Sequence, residues 1–278
     1  MLSIKYIEHY ETLDSTMALA EMYIHQQKYD DHFLIIANQQ TNARGRKGND
    51  WHSDIGGLWF NLVLNHVSEQ KTFTLFIGLC ILKSLIELCN NDDFRIKWPN
   101  DIYLYDKKIC GLMCSQFSKF HKTNIGIGIN TNNDTPPLEH SGSLIKLLSI
   151  RIDNEIYLQK IVDTILNYLP IFEKYGLSMK IPESNNMSLP ITCPPRDEGA
   201  GGGGGGKLPH RWIKLRDYGY WSDFYDKHDY LKGKYIKIIN GEEIYEGQYS
   251  GINEHGEIGI LDDQNVIHYL CSGTVKYL

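Results

Sequence analysis

The stretch FRIKWPNDIYLYDKKICGLMCS, residues 94–115, decides how this chain is read. Residues 94–98, 102–105 and 108–115 have the length and the aromatic and β-branched content of strands. Pro99 has no N–H to donate and keeps Trp98 out of the helical region, so Trp98-Pro99-Asn100-Asp101 reads as a rigid turn between two strands. Such a turn presents an amide, a carboxylate and the ammonium of Lys97 together at a sheet end, with Lys108 seven residues beyond Asp101 and Gly111 after it. Cys110 and Cys114 fall in the third strand, where small buried side chains are commoner than metal ligands.

Further strands are expected at 33–37, 58–64 and 125–130. Asp14-Ser15-Thr16 can cap a helix carrying Met17, Ala20 and Ile24 at helical spacing. Helical periodicity returns at 73–89 and again at 156–172, where Ile161, Ile165, Leu169 and Phe172 share a face, Pro170 lies within, and Gly176 can end the helix. Strands gathered between long helices predict an α+β domain, a mixed β-sheet covered by helices. From 179 to 218, Pro182, Pro190, Pro194, Pro195 and the run Gly201 to Gly206 supply no packed core, so a disordered insertion is expected there. Gly201 to Lys207 imitates a phosphate loop, but Leu208 stands where Ser or Thr would hold a metal and no apolar strand precedes it. Beyond it, alternating runs at 235–239, 243–249, 257–261 and 266–270, with Asn240-Gly241 as a hairpin signal, predict a small C-terminal β-barrel. The expected domains are 1–178, catalytic; 179–218, the insertion; 219–230, the end of the catalytic domain; and 231–278, the barrel.

Composition narrows the function. The 278 residues are 42% hydrophobic and suffice for a large core, while a net charge of −6 argues against a nucleic-acid surface, so any basic site must be local. The opening residues lack a secretory signal, and the apolar run from Thr72 stops at Lys83, short of a membrane span. Six cysteines, at 80, 89, 110, 114, 193 and 271, show no ligand-pair spacing with histidines, and free thiols in a cytoplasmic protein are the expectation.

Four segments carry residues suited to anions and small polar ligands. They are Gln40-Thr41-Asn42-Ala43-Arg44-Gly45-Arg46-Lys47-Gly48, which ends near Trp51; Lys97 to Asp101 with Lys108 and Gly111; the strand Ile125-Gly126-Ile127-Gly128-Ile129-Asn130; and Ser15-Thr16. Each alone has a plain account as a solvated loop, a turn, a strand or a cap. Together and in this order they closely resemble the catalytic domain of biotin protein ligases, from about Glu8 to Glu173, and Trp221 to Leu278 is similar to that family's small C-terminal domain. Ala43 stands where the family usually has Gly, Met17 where it has Asn, and Gln116 where it has an acid.

The resemblance implies a class II synthetase-like biotin/lipoate ligase fold with an SH3-like barrel. It implies a ligase that uses ATP to make biotinyl-AMP and passes biotin to a lysine of a biotin carboxyl carrier protein domain, with Mg²⁺ near Asn100 and Asp101 and no further metal site. Ser15, Thr16, Gln40, Ala43, Arg44, Gly45, Arg46, Lys108 and Gly111 correspond to biotin contacts. Arg44, Arg46, Trp51, Lys97, Asn100, Lys108 and Asn130 correspond to the nucleotide region, and Lys108, Arg44, Arg46 and Asp101 to the reacting centre. Lipoate ligases share the fold and are the nearest alternative. A biotin-sensing regulator or a non-catalytic biotin-binding module is the alternative of another class, but only about a dozen residues precede Ser15, too few for a DNA-binding domain. Nucleic acid and membrane are not expected partners.

Overall fold

The computed structural model describes residues 4–135, 140–178 and 220–277. The expected insertion at 179–218 lies outside the described residues. Seven strands form a mixed sheet in the order β1-β2-β3-β7-β6-β5-β4. They are β1 (Tyr6–Leu13), β2 (Phe33–Gln40), β3 (Leu58–Leu64), β4 (Phe94–Lys97), β5 (Asp101–Leu104), β6 (Lys107–Phe117) and β7 (Lys122–Ile129). Only β1 and β2 run parallel; the other neighbours are antiparallel.

The two faces of this sheet differ because side chains alternate along a strand. Leu34, Phe60, Leu62, Leu64, Cys110, Leu112, Ile125, Ile127 and Ile129 belong to the large core, with α2 (Phe73–Cys89) and α4 (Asn154–Tyr175). α2 is nearly all apolar, and its one lysine, Lys83, is buried beside Glu87, which also accepts from Lys160 of α4 at 2.6 Å. Ser84 donates to Thr164 at 3.0 Å and joins the same two helices. Phe76 and Phe172 stack with centroids 4.1 Å apart, and Trp221 of α5 (Trp221–His228) meets Phe76 edge-on. α4 passes through Pro170 unbroken and ends at Gly176, at φ 58. A short α3 (Leu144–Leu148) lies between β7 and α4.

On the opposite face, α1 (Thr16–His25) packs Ala20, Tyr23 and Ile24 against Phe33, Ile35 and Val63. Ser15 caps it, its side chain accepting from the Ala18 N–H. α1 covers only the β2–β3 end of this face, which leaves the middle of the sheet open for a site.

The C-terminal unit is a five-stranded antiparallel sheet in the order β11-β10-β9-β8-β12, formed by β8 (Tyr235–Asn240), β9 (Glu243–Ile252), β10 (Ile258–Leu261), β11 (Ile267–Leu270) and β12 (Thr274–Tyr277). The expected barrel is not closed: β11 and β12 are the two edges and do not pair. Asn240 pairs with Glu243, so the two-residue loop is Gly241-Glu242, with Gly241 at φ 66, rather than Asn240-Gly241. The two sheets are tied by Trp98 Nε1 donating to Gly256 O at 2.9 Å and by Tyr230 N donating to Ile96 O at 2.9 Å.

Phe172→Ala empties one half of a fully buried ring stack and should cost about 3–5 kcal/mol. Urea unfolding followed by far-ultraviolet circular dichroism checks this; a loss below about 1 kcal/mol would show that the stack is not the centre of this core.

Candidate functional site

Pairing register builds the site's floor. Gly111 of β6 lies opposite Gly128 of β7; Gly111 is flanked by Asp101 of β5, and Gly128 by Trp59 of β3. Two residues along, on the same face, Gly126 of β7 lies between Met113 and Asn61. Three glycines at adjoining positions leave a bare strip of backbone, and the Trp51 indole lies over it. A Cβ at Gly128 would come within 2.6 Å of Trp51 Nε1, and one at Gly111 within 3.1 Å of its ring. Trp51 also meets Trp59 edge-on, centroids 6.4 Å apart.

At one end of this strip the groups are polar and uncharged. Gln40 Oε1 accepts from the Thr16 N–H at 2.8 Å, and its Nε2 donates to Ser53 Oγ at 2.9 Å. Thr16 Oγ1 lies 2.7 Å from Asn61 Oδ1 and 3.0 Å from Gln40 Oε1, and its single proton serves one of them at a time. Asn61 donates onward to Asn124, whose amide donates to Met17 O at 3.1 Å. Buried amides in an otherwise apolar strand stay only where such a chain satisfies them.

At the other end the groups are charged. Arg46 donates to Asn100 Oδ1 at 2.9 Å, and Asn100 Nδ2 donates to Leu112 O at 2.9 Å, which locks the turn against β6. The Trp98–Pro99 peptide within that turn is cis. Lys108 pairs with Asp101 at 2.7 Å, and its Nζ sits 5.3 Å from the Trp51 ring centre. Arg44 is held on the loop surface by Asp50 and by Asn42 Oδ1. Burial lowers the pKa of Lys97, with Lys108 and Lys234 adding to that and Asp101 opposing it. Ala43 is not at positive φ, so its side chain costs nothing there; Lys47, at φ 58, takes the left-handed position instead.

These ends border one cavity of about 280 Å³. It is lined by Ser15, Thr16, Gln40, Ala43, Arg44, Gly45, Arg46, Trp51, Lys97, Asn100, Asp101, Lys108 and Gly111, thirteen of the fourteen positions singled out from sequence. Asn130 is the exception and is corrected: it lies beyond the strip, buried, with Oδ1 accepting from Asn133 at 3.0 Å. Sequence reading missed Asn61, although one amide inside LWFNLVL was a legible signal. It also missed Gly273, Thr274 and Val275, which reach the cavity from the C-terminal sheet. Cys110 is buried and Cys114 half-buried, and no metal-binding group occurs among the described residues.

Gly128→Ala should push the indole off the strip. The expected result is a change in tryptophan emission that disappears in a Trp51→Phe background, with the far-ultraviolet spectrum unaltered; an unchanged emission would show that Trp51 does not rest on Gly128.

The model of the biotin/lipoate A/B protein ligase family matches residues 10–132. The bifunctional ligase/repressor BirA of Bacillus spizizenii is 37% identical over 109 residues, covering 37% of this chain and 33% of that protein. Biotin–protein ligase 2 of Arabidopsis thaliana is 29% identical over 113 residues, covering 37% of this chain and 34% of that protein. The chain thus spans about a third of the length of these curated relatives. The structure of Aquifex aeolicus biotin protein ligase in complex with biotin and ATP is similar with a TM-score of 0.71 at 23% identity, covering 99% of each chain. No described helix is long and apolar enough to cross a membrane. This chain carries the domain of the biotin/lipoate A/B protein ligase family in residues 10–132, on the mixed-sheet fold of biotin protein ligases.

Proposed function

We propose that this chain condenses biotin with ATP to give biotinyl-AMP and pyrophosphate, and then transfers biotin to a lysine of a carrier protein domain. The observation that carries this reading is the composition of the one cavity. In a chain of net charge −6 it gathers five cations, Arg44, Arg46, Lys47, Lys97 and Lys108, against two carboxylates, Asp50 and Asp101. Beside them lies the neutral amide and hydroxyl end formed by Ser15, Thr16, Gln40 and Asn61. The names and ligands of the related proteins agree with it.

The chemistry needs such a division. Biotin's carboxylate, with a reference pKa of about 4, is ionised at neutral pH and needs no base to become a nucleophile. The obstacle is repulsion between that anion and the triphosphate it must attack. Cations fixed beforehand where charge gathers on phosphorus lower that barrier without reorganising during reaction. Lys108 is placed for this task, between the amide end and the cations and over the Trp51 ring. The amide chain through Gln40, Thr16 and Asn61 suits a neutral polar head group such as biotin's ureido ring, which both donates and accepts. Trp51 closes the floor and excludes water from a hydrolysable anhydride. In the second step the acceptor lysine attacks the acyl carbon, AMP leaves, and one proton must be taken from the ammonium.

Asn100 and Asp101 do not fit a magnesium ion as they stand. The Asn100 oxygen faces the Arg46 guanidinium and the Asp101 carboxylate faces Lys108. No step here runs through a metal.

Removing Lys108 should leave the fold and deprive the transition state of a charge-assisted contact worth on the order of 3 kcal/mol. Pyrophosphate release by Lys108→Ala should fall at least about 100-fold at unchanged thermal stability. Wild-type release by that variant would remove Lys108 from the reacting centre. With the unaltered chain, biotin rather than lipoate should raise the melting temperature; the reverse order would favour a lipoate ligase, and biotin binding without pyrophosphate release a non-catalytic module.

A further inference from the structure

One strand of the second sheet touches three of the cavity's cations. The Gly273 carbonyl, just before β12, accepts from Arg46 Nη2 at 3.4 Å. Thr274 Oγ1 accepts from Lys47 Nζ at 2.7 Å. The Tyr277 ring lies 5.0 Å from Lys97 Nζ, on the other side of which stands Tyr103 at 5.8 Å. Gly273, Thr274 and Val275 also line the cavity. We infer that β12 is a clasp that positions the anion-binding cations, so that Thr274 and Tyr277 set affinity for the triphosphate and not for biotin. This deepens the proposed function and rests on it.

Three independent features support the assignment. Lys47 is a non-glycine residue in the left-handed region, a conformation that persists only where its surroundings over-determine it, and Thr274 supplies the partner for its side chain. Gly273 is required where it stands, since at φ 152 an added Cβ would meet Ile238 at 2.4 Å; only glycine leaves its carbonyl turned to Arg46. Lys97 shares the cavity with four like charges, and two ring faces offset their repulsion where no carboxylate besides Asp101 and Asp50 lines the wall. Tyr277 is itself held: its hydroxyl lies 3.4 Å from that of Tyr230, and Lys234 sits 4.8 Å from its ring. None of these contacts involves Ser15, Thr16, Gln40 or Asn61, so the effect is confined to the charged end.

Titration calorimetry of the full chain with ATP, with inorganic triphosphate and with biotin, each separately, tests this. Thr274→Val should weaken ATP and triphosphate binding about threefold and Tyr277→Leu about tenfold, while biotin affinity stays within about twofold of wild type. Tyr277→Phe keeps the ring and should bind ATP nearly as wild type. In a Lys47→Met background, Thr274→Val should add nothing. Equal losses for ATP and biotin, or a Tyr277→Phe variant as weak as Tyr277→Leu, would mean that β12 only supports the fold, and would overturn the inference. Unchanged ATP and triphosphate binding in the valine and leucine variants would overturn it too, leaving the proposed function intact. A wild-type chain that binds neither ATP nor triphosphate would overturn both.

Discussion

Everything in the site depends on a strip of sheet that carries no side chains. Gly111 and Gly128 face each other across β6 and β7, and Gly126 follows on the same face. The register admits no slack, because a shift by one residue would bring Cys110, Leu112, Ile127 and Ile129 to the open face and take the apolar core apart. Packing of the large core therefore places the site: the interactions that bury Leu112 and Ile127 under α2 and α4 also hold the strip bare beneath Trp51. That strip separates the neutral amides at the start of α1 from the cations of the loop at 44–47 and the turn at 97–101.

Each cation is already engaged: Arg46 with Asn100, Lys108 with Asp101, Arg44 with Asp50, Lys47 with Thr274. Internal partners keep like charges tolerable at one place without neutralising all of them. On the proposed reading, triphosphate supplies the missing negative charge. Charges held at fixed positions before a ligand arrives are what electrostatic catalysis requires, since their ordering is already complete when charge moves.

Much of this was legible because particular residues leave no choice. α2 was read to its exact ends, 73–89, since an apolar run bounded by Thr72 and Asn90 fits nothing else. The four segments with chemistry were found through glycines and cations at fixed spacing, and the cavity brings thirteen of their fourteen chosen positions together. β1 was missed because its inward face is Tyr6, Glu8 and Tyr10, and Glu8 is satisfied by hydroxyls from Tyr10, Tyr23 and Tyr29 and by Lys28, which no local pattern shows. Asn130 ended the right strand but one pleat too far, and an amide's type does not tell which neighbour it will serve. β12 was invisible for another reason: four residues carry too little periodicity, and their role arises only from folding 227 residues away from Arg46 and Lys47.

Intact-mass measurement of an isolated carrier domain, incubated with this chain, ATP and biotin, is the most direct trial of the proposed reaction. A single added biotin on one lysine, dependent on ATP and absent when lipoate replaces biotin, is the expected result. A carrier domain that gains no mass while the chain is folded and both small molecules are present, or that gains lipoate instead, would contradict it.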